Sequence, residues 1–573
     1  MAERRSDLDA LRSVAMILGI VLHATASFFS FPWPVHEMEF NTGLALLCMW
    51  IHGFRMPLFF ILSGYFTQLV YEQRGLKKLV QQRLVRIAIP FVLSCITILP
   101  LSSFVSQRAS QTRHRPPVVE AIVRGEMQPL RDWLAQGGDP NYRDPLFGRP
   151  LVAWATLAEN QPALELLVSN NADVNAAESS GNTPLHYAVF FGSDSAFEYL
   201  VQHGSDPTAK NNAKHNPLLA IDSAPFRAAD LSGVIGLPEG LRVDEVQQGR
   251  LAIKEKLNIW LDKQNPNLFP ESAKLQQAIQ ESKDASFLDS LVASYWTYRG
   301  SDRFIVHLGS YQLHLFDSMI FEHLWFLAYL LWLLLIFTIL TAIGWKANYR
   351  TYSIAVFATL FGQIWMGPLG PSFGPDSEFA LLPAPHLLIY YAGFFFFGTA
   401  LYSCSTSRDT STGANSLKQA WFSNHWRWIL PVSTLIVFPL ALGTVPNRPL
   451  GIILQPLFAW GMALGSIGAF EAMFKATASK HTSDKKTSAI RWLADSSYWL
   501  YLAHVPVVIM AQYLVTSLHL PGWIKFLIVL AISLLILMVS YEWLVRYSWI
   551  GRLLNGRKIR TGQPPTLSTK VPT

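Results

Sequence analysis

Cysteine is nearly absent from this chain: 573 residues carry three, Cys48, Cys95 and Cys404. They lie in or beside apolar runs and form no CxxC, which excludes a disulfide framework and a zinc pattern. Buried reduced thiols are the expected state. Charge is scarce as well. Only 15% of residues are charged, against 51% hydrophobic with 19 Trp and 36 Phe. A soluble chain of this length needs more polar surface, so a polytopic protein partnered by the lipid bilayer is expected. The net charge of +7 would suit nucleic acid. The basic residues, however, fall in short loops and at both ends with no recognition motif, so no nucleic acid is expected to bind. No cleavable signal peptide is visible; the first apolar run carries His23 and is expected to stay as a signal anchor.

Apolar runs are what the chain has in quantity. Ten candidate spans fall at about 11–31, 45–70, 85–106, 322–343, 352–370, 384–404, 427–445, 448–471, 497–516 and 523–545. Gly and Pro interrupt the end of the fifth. With the N-terminus inside, Arg4, Arg5, Arg74, Lys77, Lys78, Lys346, Arg350, Arg408, Lys418, Lys475 and Arg491 all fall on the inner side. The short outer loops 32–44, 371–383 and 517–522 contain no Lys or Arg. This bias puts both termini in the cytoplasm of a multi-pass cell (inner) membrane protein. It also puts the polar block from about 107 to 321 outside the cytoplasm. The expected fold class is all-α, a polytopic membrane helix bundle of about ten transmembrane helices with an extracytoplasmic insert.

The insert repeats. Leu134, Leu167 and Leu200 recur at one spacing, and Asp139, Asp173 and Asp206 recur at nearly the same one within LAQGGDPN, LVSNNADVN and LVQHGSDPT. Helix-opening strings follow each: GRPLVAWA, GNTPLHYA and HNPLLAID. The period of about 33 and the TPLHYA string at 183–188 resemble the ankyrin repeat, in which stacked helix pairs share a continuous core. The expected domains are a first membrane part at 1–106 with three spans, ankyrin repeats at 116–222, and a helical linker at 223–300. A second membrane part with seven spans follows at 301–550, then a basic, disordered cytoplasmic tail at 551–573. Within the linker, 243–263 and 271–295 read as polar amphipathic helices. Residues 301–319 read as an apolar segment at the outer interface.

Chemistry-bearing residues stand inside the spans. From Arg12 to His23 a helix advances about 16 Å and closes to within roughly 20° of whole turns, so both side chains share a face. His23 then lies about half-way across a hydrocarbon layer about 30 Å thick, a depth at which an ionisable group is a functional candidate. Arg12 also suits a snorkelling anchor, and His23 a hydrogen-bonded packing residue. Arg55 sits in FRMPLFFILSGYF, where Pro57 frees backbone carbonyls. Arg83 and Arg86 share one turn of RLVRIAIP, suited to a multi-phosphate ligand or to ordinary inner-side anchoring. Glu322 and His323 open the fourth span at its outer mouth. His504 lies about 12 Å into the ninth.

As a set, LDALR with Arg12, His23 after ten residues, FRMPLFFILSGYF, RLVR at 83–86, HLWFLAYL at 323–330 and SSYWLYLAHVPVV at 496–508 resemble the membrane acyltransferase-3 family, in its glucan succinyltransferase-like branch. The ankyrin block departs from typical members and puts the family's usual glycan acceptor in question. The resemblance implies transfer of an acetyl or succinyl group from cytoplasmic acyl-CoA, a co-substrate with no bound cofactor or metal, to a hydroxyl of an extracytoplasmic glycan. Arg12, Arg83 and Arg86 would meet the CoA phosphates. His23 would act as general base or as transient acyl carrier. His504 would orient it or stabilise an oxyanion, Glu322 and His323 would line the acceptor mouth, and Arg55 would brace the bundle. The ankyrin repeats would dock a partner protein or the polymer acceptor, or stand as a tolerated insertion. Two other functions compete. A transporter or flippase would want broken helices paired across repeated halves, and no second half resembles the first; an ankyrin-bearing sensor or scaffold would not require buried histidines.

Overall fold

A computed structural model describes residues 5–29, 33–37, 40–110, 115–145, 147–212, 214–222, 228, 237, 242–263, 272–283, 287–308, 311–316, 318, 320–367, 373–377, 379–406, 421–445, 447–478 and 484–556. Their regular elements are helices but for one two-stranded hairpin. Eight segments are long and apolar enough to cross a membrane. One of them, Thr42–Ser110, has 69 residues and holds both the second and third expected spans. Its helix α2 (Thr42–Arg83) breaks at Gly75, whose φ of 76° only glycine adopts readily. The chain turns back there, since Arg83 Nη2 donates to Thr67 Oγ1 at 3.3 Å. Helix α3 (Ile89–Ser110) follows after a π-turn at Leu84–Ala88.

The membrane bundle packs α1 (Ser6–Thr25) and α2 against helices from the second half of the chain. These are α13 (Trp325–Ala342), α15 (Pro385–Thr406), α18 (Arg448–Ala478) and α19 (Asp484–Thr516). Their shared core is aromatic: Phe60, Phe337, Tyr391, Phe394 and Phe458 are fully buried in it. Small residues bring α2 and α15 into backbone contact, as in many membrane interfaces. A Cβ on Gly64 would stand 1.8 Å from the Phe395 carbonyl oxygen, and one on Gly398 2.0 Å from that of Ile61. Helices α16 (Trp421–Val432) and α17 (Phe438–Gly443) pack against α18, and helix α20 (Gly522–Ser540) packs beside α19.

Several expectations need correction. The fifth span is a helix of 14 residues, α14 (Arg350–Gln363), about 21 Å long by helical rise and shorter than the hydrocarbon layer. It ends at Gln363, ahead of the Met-Gly-Pro string in which Gly367 takes φ 75°. Residues 301–319 contain a β-hairpin, β1 (Ile305–Leu308) antiparallel to β2 (Tyr311–His314). Its signal was a β-branched and aromatic run around Gly309-Ser310. The tail keeps a helix, α21 (Trp549–Asn555), although 557–573 lie outside the described residues.

The insert is a stack of helix pairs: α4 (Pro117–Arg124) with α5 (Met127–Ala135), α6 (Leu151–Leu157) with α7 (Gln161–Ser169), and α8 (Pro184–Phe191) with α9 (Asp194–Gln202). The repeated Asp and Asn have mechanical roles. Asp139 and Asp173 each accept from the backbone N–H two residues on, at 2.8 Å. Asn141 and Asn175 accept from the N–H of the next repeat's Asp, both at 2.7 Å. His186 of TPLHYA accepts at Nδ1 from the Thr183 N–H and donates at Nε2 to the His215 carbonyl of the following turn.

The segment expected as a linker extends this stack. Helices α10 (Val243–Lys263) and α11 (Ser272–Lys283) bury Val246, Ile253, Leu257, Leu275 and Ala278 in the ankyrin core. Helix α10 lies directly on the turn after α8, where a Cβ on Gly249 would meet the Gly192 carbonyl at 1.7 Å. Helix α12 (Phe287–Arg299) is separate from α11, so the single helix read over 271–295 is two.

Candidate active site

Helix α1 carries Arg12, Gly19 and His23 at spacings that return to one face, and that face meets α19 and α2. Arg12 Nη2 donates to the Ala494 carbonyl of α19 at 3.2 Å. His23 meets His504 of α19, ring centroids 5.0 Å apart. The contacts advance together along both helices, so α1 and α19 run parallel.

Two rings flank the half-buried His23. Trp33 stacks on one side at 5.3 Å with an interplanar angle of 18°, and His504 stands on the other. The imidazole therefore points into protein rather than into lipid. Its Nδ1 is buried and has no hydrogen-bond partner among the described residues. Trp33 is held by Gln512 of α19, whose Oε1 accepts from the indole at 2.7 Å and whose Nε2 donates to the His23 carbonyl at 2.9 Å.

Proline shapes the next layer. Pro506 has no N–H, so the carbonyl four residues earlier, that of Leu502, loses its helical donor. His323 takes the place of that donor: its Nε2 lies 3.0 Å from the Leu502 oxygen. Tyr501 closes the clasp, donating its hydroxyl to the His323 carbonyl at 2.8 Å. His504 Nδ1 donates to the Tyr501 carbonyl at 2.7 Å. Carbonyls only accept, so these contacts fix which nitrogens carry hydrogen. In the neutral rings, His504 Nε2 and His323 Nδ1 present lone pairs, and both are buried without a partner among the described residues. The His323 and His504 centroids are 5.4 Å apart. An acceptor nitrogen at His504 suits orienting a donor and does not suit an oxyanion.

Glu322 takes φ 39°, a strained position for a non-glycine residue, and this turns the chain so that His323 faces inward. Its own carboxylate accepts from Ser103 of α3 at 2.8 Å, so it lies beside the histidine cluster rather than within it.

Toward the other end of α1 a cavity of about 90 Å³ is lined by Arg12, Phe59, Ser63, Thr67, Arg83 and Leu330, with further apolar residues. It brings two of the three arginines of the sequence reading together. Arg86 is exposed outside it, its guanidinium 3.1 Å from a Cβ built on Gly556. Arg55 lies between this cavity and His23. A Cβ on Gly19 would stand 2.0 Å from its Nη1, so the missing side chain of α1 makes the guanidinium's seat. Among the described residues no group of three or more His, Cys, Asp or Glu side chains is placed to hold a metal ion.

Sequence reasoning missed Trp33 and Gln512. It also missed a buried ion pair in which Lys525 Nζ meets Glu37 Oε2 at 2.6 Å. The available signal was polarity inside a span: Gln512 and Lys525 are polar residues in otherwise apolar runs. A further ring contact, His36 with Phe147 at 5.6 Å, joins the loop after α1 to an ankyrin turn.

Comparison with known proteins agrees with this architecture. An acyltransferase-domain family model matches residues 5–113 and 284–542, and a model of three ankyrin repeats matches 119–211. The break between the two acyltransferase segments spans the ankyrin stack together with α10 and α11. Glucans biosynthesis protein C from Escherichia coli strain K12 is 38% identical over 104 residues, 18% of this chain and 27% of the relative. The same protein from E. coli O1:K1 / APEC and from E. coli O9:H4 (strain HS) gives the same figures. The match thus spans about a quarter of these relatives' length. With its helix bundle in two parts around an ankyrin insert, the chain belongs to the acyltransferase-3 family.

Proposed function

We propose that the protein transfers an acetyl or succinyl group from cytoplasmic acyl-CoA to a hydroxyl of an extracytoplasmic glycan or glucan across the cell (inner) membrane. The observation that carries this reading is the position of His23. Its ring is packed between Trp33 and His504, and the same face of α1 reaches Arg12 at a cavity shared with Arg83. Arg12 and Arg83 receive the CoA phosphates, with Arg86 beside them at the surface. The pantetheine arm runs along α1 and brings the thioester to His23.

His23 takes the proton of the acceptor hydroxyl, or carries the acyl group in passing. His504 orients the reacting groups through its Nε2 lone pair. His323, with Glu322 behind it, lines the mouth on the acceptor side. The parallel course of α1 and α19 supports an odd number of crossings between them, and so an even total, with both termini in the cytoplasm and the ankyrin block outside. The printed function of the relatives, glucan biosynthesis, supports a glucan-like acceptor. The His36–Phe147 contact supports docking of an acceptor polymer or a partner protein on the ankyrin repeats.

The test is radiolabel transfer from acetyl-CoA and succinyl-CoA to a gluco-oligosaccharide by the purified full chain in lipid nanodiscs. His23→Ala is expected to abolish transfer while leaving membrane insertion and CoA binding intact. Full transfer by that variant would overturn the reading.

A further inference from the structure

Arg55 is a cation inside a membrane span with no counter-charge among the described residues. Its Nε is buried without a partner, and its guanidinium makes no hydrogen bond or ion pair with any described residue. A brace would need such partners. Isolating a charge in this way is costly unless an anion is to occupy the site.

Its position is set by two helices. On α2, Thr67, Ser63 and Phe59 line the cavity that holds Arg12 and Arg83, and Arg55 is one turn beyond Phe59. On α1, Gly19 is two turns beyond Arg12 and one turn before His23, and the guanidinium rests on it. Arg55 thus stands on the route from the arginine cavity to the catalytic ring, next to where a thioester presented to His23 would lie. His23 and His504 both feel its charge. His504 cannot fill an anion-stabilising role in its neutral form, since its only N–H is committed to the Tyr501 carbonyl.

We infer that Arg55 is the oxyanion-binding residue of the transfer reaction, an inference that rests on the donor reading above. The acceptor oxygen bonds to the thioester carbonyl carbon as its proton passes to His23. The carbonyl π pair moves onto oxygen, and the resulting oxyanion faces the Arg55 N–H donors. Collapse re-forms C=O and breaks C–S, and the departing thiolate takes the proton from the His23 imidazolium. The products are the ester and free CoA. Transfer by way of an acyl-His23 intermediate passes through oxyanions at the same carbonyl.

The experiment measures kcat and KM of the purified full chain in nanodiscs, with acetyl-CoA and with succinyl-CoA, by thiol release in the presence of a gluco-oligosaccharide. Removing one oxyanion donor typically lowers kcat by about 100-fold or more. Arg55→Gln is expected to do so with both donors while KM moves by less than about threefold. Arg55→Lys, which keeps the charge, is expected to recover part of the loss, and CoA binding to both variants verifies folding. Unchanged kcat in Arg55→Gln, beside a wild type that turns over and a His23→Ala that does not, would overturn the inference and leave the proposed function standing. A loss confined to KM for succinyl-CoA would overturn it too, since the guanidinium would then hold the distal carboxylate. No thiol release by the wild type from either donor would sink the donor reading and this inference with it.

Discussion

His323 stands 3.0 Å from the Leu502 carbonyl, the one that Pro506 leaves without a helical donor. A gap in one helix is thereby filled by a side chain from another, and His504 is held between the two.

Pro506→Ala restores an N–H that competes for that carbonyl. The helix gains, since an interior proline costs about 3 kcal/mol, so the melting temperature is expected to hold or rise. The released His323 lets the acceptor side of the site shift, and displacements of about 1 Å lower rates by about 100-fold. Thermal unfolding and acyl transfer, measured on one preparation, check the opposed directions. Equal activity in the variant would show that the clasp does not position the site.

Gln512→Leu removes the acceptor of the Trp33 indole and the donor to the His23 carbonyl. A buried polar group that loses its partner costs about 1–3 kcal/mol, so both stability and transfer are expected to fall. Trp33→Phe keeps the stacking ring and drops the N–H, and is expected to be milder in both respects. Reversal of that order would place the effect in the indole packing instead.

Deleting 116–222 alone is expected to give an unstable protein. It would expose Val246, Ile253 and Leu275, buried in the ankyrin core, at about 1.5–3 kcal/mol for each large side chain. Deleting 116–283 removes the whole stack with its cap and is expected to insert normally. Expression and monodispersity of the two deletions separate them, and transfer by the longer one reports whether the ankyrin block serves the reaction.

Lys256 of α10 meets Asp194 at 2.9 Å and Glu198 at 2.7 Å on α9. Burial opposes its charge, but the two carboxylates more than offset this and raise its pKa above 10.5. A raised lysine stabilises the fold fully below its unfolded pKa, and that contribution is lost as pH rises through the folded one. These side chains are partly exposed, so the contribution is about 1 kcal/mol or less. The stability difference between wild type and Lys256→Met is expected to stay flat up to about pH 10 and to shrink above it. A difference that grows in alkali would contradict this sign.

Much of the architecture was legible because its signals are local. Apolar runs mark spans, since no water reaches their backbone, and the spacing of Leu134, Leu167 and Leu200 marks the stack. Helix α14 fell short because it stops at Gln363, inside its apolar run, a point that hydropathy does not mark. Helix α10 passed for a linker because its exposed face is polar; its buried face is recognisable only beside Gly192. In the site, Arg12 and His23 could be read together because one helix fixes their geometry. The surroundings of Arg55 were not legible because its seat is the missing side chain of Gly19 on another helix.

The sequence alone determined the membrane bundle, the repeat and the shared face of Arg12 and His23, because hydropathy and helical periodicity act over a few turns. Only the tertiary structure decided that His23 meets Trp33 and His504, that His323 completes α19, and that Arg55 lacks a counter-charge among the described residues. Those facts belong to pairs such as Gln512 and His23, far apart along the chain, whose contact depends on how whole helices pack.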